Sequence, residues 1–182
     1  MRNSFSKDEL DVLQDYLDLS SNYFEYGSGL TTLAACEHAH LKKIFTVTSE
    51  EDVYKEIMQK HINYKNLQIF YKDINAGTMG RPKDNTKKTE WPDYPNAINL
   101  YSEDNELWDL VLVNGRFRVA CAAAAFDRLS PQGYLLVHDF DRTAYSSINT
   151  LYTQEKKIKT LCVFKKKNLS LDLFNKFRYN YE

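Results

Sequence analysis

Near the end of the chain, His138 and Asp139 follow the apolar run Tyr134-Leu135-Leu136-Val137. Where a strand gives way to a loop, an adjacent imidazole and carboxylate can both reach a bound reactant, as base or as charge stabiliser. A carboxylate directly after a buried strand needs a partner, which makes Asp139 hard to dismiss as packing. His138 reads equally well as a satisfied structural histidine. Arg116 and Arg118 follow a second apolar run, Trp108 to Val113, and could grip an anionic group or pair with surface carboxylates. Far upstream, Tyr23-Phe24-Glu25-Tyr26-Gly27-Ser28-Gly29 is an aromatic run that meets an acid and turns through two glycines. Without a Cβ, glycine lets backbone pass close to a ligand. A helix starting near Leu30 would offer free N–H groups to a polar or anionic group.

These residues work together only if strands and helices bring them to one edge. Ser6-Lys7-Asp8-Glu9 has the form of a capping box, and Leu10, Leu13, Tyr16 and Leu17 then recur at helical spacing. The pattern predicts strands over 23–25, 44–48, 67–71, 108–113, 134–137 and, at an edge, 160–164. It predicts helices over 31–43, 51–61, 119–129 and 146–153, with Val53, Ile57 and Met58 on one side of the second and a turn at Ser130-Pro131-Gln132-Gly133. Residues 169–182 carry no firm assignment. Strands alternating with helices point to an α/β sandwich with a mainly parallel sheet, in which ligands bind beyond the carboxyl ends of the strands. Those ends are Glu25 to Gly29, Thr48 to Glu50, Lys72 and Asp73, Asn114 to Arg118, and His138 to Asp141. The connection 75–105 is long, and its Gly, Pro, Trp91, Tyr94 and Tyr101 suggest a functional lid.

The whole chain, 1–182, reads as one domain, and 43% hydrophobic residues are ample for a core. A net charge of −1 gives no electrostatic footprint for nucleic acid. Cys36, Cys121 and Cys162 are too few and too far apart for a disulfide framework. Cys36, His38 and His40 match no strong metal pattern and read as helix residues. With neither a signal-like N-terminus nor a membrane-length apolar run, the expectation is a soluble cytoplasmic protein without membrane partners. The oligomeric state stays open, and a homo-oligomer is compatible.

The glycine turn, with Gly80-Arg81-Pro82, Trp91-Pro92-Asp93-Tyr94, Val113-Asn114-Gly115-Arg116-Phe117-Arg118-Val119-Ala120-Cys121 and Val137-His138-Asp139-Phe140, resembles the class I S-adenosylmethionine-dependent methyltransferases. The resemblance spans about residues 6 to 164, and the narrower match is to a group of small methyltransferase-like proteins. It implies a three-layer, Rossmann-like methyltransferase sheet with 75–105 on the acceptor side. It implies that Glu25, Gly27, Ser28 and Gly29 surround the methionine part of the cofactor, that Asp73 meets the adenine, and that Asn114 lies at the cofactor site. In the family an acid usually ends the second strand and binds the ribose; here Thr48 stands there, 19 residues beyond Gly29, with Glu50 close behind. His138 and Asp139 become the catalytic candidates. Arg81, Trp91, Tyr94, Arg116 and Arg118 become the substrate-binding ones. Asn114, His138 and Asp139 could hold Mg or Mn, although the narrower group usually has aspartate at the position of Asn114. The expected activity is O-methylation of a small molecule or glycan hydroxyl. The alternative is a cofactor-binding module with weak or no turnover. A nucleotide-sugar or dinucleotide enzyme on a similar sheet is disfavoured, because the third glycine of Gly-x-Gly-x-x-Gly is missing.

Overall fold

The computed structural model of the chain describes residues 5–60 and 63–168. Seven strands form one sheet in the order β3-β2-β1-β4-β5-β7-β6. They are β1 (Asn22–Tyr26), β2 (Lys43–Thr48), β3 (Leu67–Tyr71), β4 (Trp108–Val113), β5 (Leu129–Val137), β6 (Tyr152–Ile158) and β7 (Leu161–Lys166). The first five are parallel, while β7 runs antiparallel to β5 and to β6. Strand order reverses between β1 and β4, so their carboxyl ends open a crevice there.

Alternation along the central strands sorts their side chains into two cores. Phe24, Tyr26, Val111 and Val113 face the layer containing α4 (Ala97–Tyr101), α5 (Arg118–Arg128) and α6 (Ile148–Leu151). Tyr23, Leu110 and Leu112 face α1 (Lys7–Asp18) and α2 (Leu30–Cys36). With α3 (Glu51–Lys60) following β2, this is the expected three-layer α/β sandwich.

The capping box at the start of α1 does more than cap. Glu9 accepts hydrogen bonds from the amide and hydroxyl of Ser6, and also from Thr160 and the Leu161 amide, which ties the helix to the β6–β7 turn. Burial works against its ionisation, but the bonds from Ser6 and Thr160 prevail and hold its carboxyl down to about 2.

Several expectations need correction. The helix expected over 31–43 stops at Cys36, because buried Leu41 and Ile44 draw the chain into the core ahead of β2. His38 and His40 therefore sit in a turn. On α3, Ile57 is buried but Met58 is exposed. The turn expected at 130–133 lies within β5 as an irregularity, where pairing jumps from Trp108↔Leu129 to Leu110↔Tyr134. The helix expected over 146–153 shrinks to Ile148–Leu151, and Tyr152–Ile158 forms the edge strand, displacing β7 inward. Residues 154–158 carry no assignment in the sequence; their exposed Glu and Lys side chains are how sheet edges avoid pairing with other chains. The region 75–105 is packed: Tyr94, Ala97 and Ile98 are fully buried, and the Tyr26 hydroxyl donates to the Pro95 carbonyl at 2.6 Å. Residues 61 and 169–182 lie outside the described residues. Among the described residues no helix is long and apolar enough to cross a membrane.

Candidate functional site

The crevice between β1 and β4 is a cavity of about 410 Å³. Its floor is a contact between two turns. Gly27 has φ +99°, and a Cβ built on it would lie 2.6 Å from the amide nitrogen of Gly115, so glycine alone fits. Gly29 differs: it is extended, and a Cβ there would meet nothing within 4 Å. The space beside Gly29 is open to a ligand.

Glu25 does not line this cavity. It is fully buried beneath the glycine turn, where the Thr31, Thr32 and Thr46 hydroxyls donate to its carboxylate. Ser28, which does line the cavity, shares a 2.7 Å hydroxyl bond with Thr46. Burial outweighs the threonine bonds and pushes the Glu25 carboxyl up to about 7. Glu25 thus ties β1 to the first turn of α2 and supports the turn from below.

Thr48 and Glu50 both line the cavity after β2, and they divide the expected acid's position between them. The Thr48 hydroxyl accepts from the Glu50 amide at 3.1 Å, whereas the Glu50 side chain is exposed. Asp73 lies in an adjoining cavity of about 380 Å³ that shares Ser49, Glu50, Asp52 and Val53 with the first, and it pairs with Lys87 at 2.8 Å.

At the opposite wall the chain after β4 meets the chain after β5. Buried Arg118 donates to the His138 carbonyl at 2.7 Å, to Asp139 at 2.9 Å and to the carbonyls of Asn114 and Gly115. Asp139, at φ +57°, also accepts from Arg142 at 3.1 Å. Burial favours the neutral acid, but the Arg118 charge prevails and keeps Asp139 below the usual carboxylate range. It is an ion-paired anion and a weak base. His138 is buried and stacked on Phe5 at 4.1 Å, and among the described residues neither ring nitrogen has a hydrogen-bond partner. Burial lowers its pKa from 6.5 despite Asp139 and Glu9 nearby, so the imidazole is neutral at pH 7.

Tyr94, Asn114 and Arg116 complete this wall. Arg81 and Trp91 are outside the lining; Trp91 packs on Phe117. Phe5 and Met79 line the cavity without having been singled out in the sequence, and neither stands at a strand end. Asn114, His138 and Asp139 do not fit a divalent cation. The carboxylate is already occupied by two guanidinium groups, and a cation bound there would meet their positive charge.

No protein-family model and no curated protein matches the chain. Solved structures do share its fold. A methyltransferase-like protein from Silicibacter pomeroyi matches with a TM-score of 0.83 and 24% identity, over 100% of this chain and 98% of the other. The N-methyltransferase NodS from Bradyrhizobium japonicum, in complex with S-adenosyl-L-homocysteine, has a TM-score of 0.55 and 14% identity, covering 91% of this chain and 90% of its own. An rRNA methylase from Streptococcus thermophilus reaches 0.57 with 14% identity, over 91% and 99%. At these identities the likeness is one of fold, and the fold is the Rossmann-like sheet of methyltransferases.

Proposed function

We propose that the chain is an S-adenosylmethionine-dependent methyltransferase that O-methylates a hydroxyl on a small molecule or glycan. The observation that carries this reading is the glycine floor at the switch point, with Gly27 closed against Gly115 and open space beside Gly29. The shared fold and the complex of one such relative with S-adenosyl-L-homocysteine support it. Gly27, Ser28 and Gly29 would accommodate the amino-acid end of the cofactor, and the exposed Glu50 carboxylate would accept from the ribose hydroxyls. Asp52 and Val53 lead into the adjoining cavity that holds Asp73, where the adenine would lie. When bound, the cofactor supplies an electrophilic sulfonium methyl group.

The chain's own contribution is placement and removal of one proton. His138 is the candidate base: it belongs to the cavity lining and is neutral. Its two ring nitrogens are buried just behind that lining with no hydrogen-bond partner among the described residues, so the proton would be taken as the acceptor closes onto the ring. Once protonated it would be stabilised by Asp139 at 3.7 Å and Glu9 at 3.8 Å. Asp139 and Arg118 act as positioning residues, and Arg116 and Tyr94 face the acceptor. This base needs no metal ion. A glycan or small molecule suits the cavity, and neither a nucleic acid nor a membrane is invoked.

The test is transfer of a tritiated methyl group to a panel of catechols, hydroxy acids and sugars, without added metal. Transfer that disappears in His138→Asn while cofactor binding persists supports the reading. The second reading, a binding module with little turnover, is favoured by Thr48 in place of the usual acid. Cofactor binding without transfer to any acceptor would select it.

A further inference from the structure

We propose that Asp18, His38 and His40 form a binding site for a borderline divalent transition-metal cation of the Zn2+ type, remote from the cavity. Asp18 is the last residue of α1, and the two histidines lie in the turn between α2 and β2. The packing of α1 on α2 brings them together. One ligand atom from each of the three lies within 4.8 Å of the other two. Nδ1 of His38 is 2.9 Å from the Asp18 carboxylate, and Nε2 of His40 is 3.1 Å from the Leu17 carbonyl. The rings stand edge to face, 5.7 Å apart.

Two imidazoles and one carboxylate are the donors that Zn2+ accepts in a three-ligand site, with water completing the tetrahedron. Metal–ligand bonds of about 2.0–2.2 Å separate tetrahedral ligands by roughly 3.3 Å. Contraction from 4.8 Å falls to the two exposed ligands, Asp18 (67% exposed) and His40, which can swing toward the His38 ring, only 14% exposed and held in place. The proton between His38 and Asp18 would be displaced by the cation, and His40 would exchange its bond to Leu17 for a metal bond. Imidazole ligation disfavours Mg2+ and Ca2+. The bound ion would join the end of α1 to the turn that leads into β2.

Full-length, untagged protein titrated calorimetrically with ZnCl2, and with MgCl2 as control, tests this. The expected result is one saturable Zn2+ site of micromolar affinity, weakened by about tenfold or more in each of His38→Ala, His40→Gln and Asp18→Asn, as for the loss of one ligand. Co2+ should give the weak visible bands of nitrogen and oxygen ligation. Circular dichroism verifies that the variants fold, and His40→Gln and Asp18→Asn change exposed side chains with little change in volume. No saturable Zn2+ binding up to 1 mM overturns the proposal. So does binding unchanged in His40→Gln and Asp18→Asn, or a thiolate charge-transfer band.

Discussion

Two buried ionisable residues at this site have opposite pH behaviour, and both signs follow from burial. Glu25 is held at about 7, above its ordinary 4.5, so the folded state binds its proton more tightly than the unfolded chain does. Its contribution is therefore complete below about pH 4.5 and is lost as pH rises through 7, by about 3 kcal/mol at most. His138 is shifted below 6.5, so its contribution is present above 6.5 and fades as pH falls. Comparing wild type with Glu25→Gln cancels the histidine. In urea melts at pH 5.5 and 7.5, the wild type should lose stability relative to the variant at the higher pH; parallel behaviour would contradict the burial account. For turnover, a neutral His138 predicts a rate that rises with pH along a single acid limb below 6.5 and is flat at neutrality. His138→Asn should lower kcat by about 10²-fold or more with cofactor affinity retained. Asp139→Asn leaves buried Arg118 without its counter-charge, and should cost about 3–5 kcal/mol in chemical denaturation.

Two glycines in one turn have different jobs. Ala at position 27 would need a Cβ inside the Gly115 backbone and a positive φ, so Gly27→Ala should destabilise the fold by about 2–4 kcal/mol and abolish cofactor binding. Gly29→Ala has extended backbone and empty space, so its stability should match wild type while cofactor affinity falls. Thermal melts and a binding isotherm on the pair separate a turn that only folds the chain from one that also holds a ligand. The same contrast separates what local sequence encodes from what only tertiary contact decides. Gly-x-Gly after an aromatic run marks a turn whatever its neighbours, but which glycine is pinned depends on Gly115, 88 residues away. The family resemblance puts Glu25 at the cofactor; Thr31, Thr32 and Thr46, which donate to its buried carboxylate, make it an internal brace instead. The missed edge strand β6 has the same origin, since Gln154 to Lys157 carry no apolar alternation and only their pairing with β7 makes them a strand.

At the scale of the molecule, five parallel strands were legible because they are apolar, β-branched or aromatic runs separated by helices, whereas their order in the sheet is seen only in the structure. That order brings Gly27, Glu50, Asn114 and His138 around one cavity from positions more than 100 residues apart. Arg81, Trp91 and Asp73 did not join them, since the ion pairs and packing of the 75–105 region depend on contacts that local spacing does not encode. Calorimetric titration with S-adenosyl-L-homocysteine checks the proposal that this crevice holds S-adenosylmethionine. One site per chain is predicted, weakened by about tenfold in Glu50→Gln as one charge-assisted acceptor is lost, and absent in Gly27→Ala. No binding heat at millimolar ligand, or affinity indifferent to both substitutions, would contradict it.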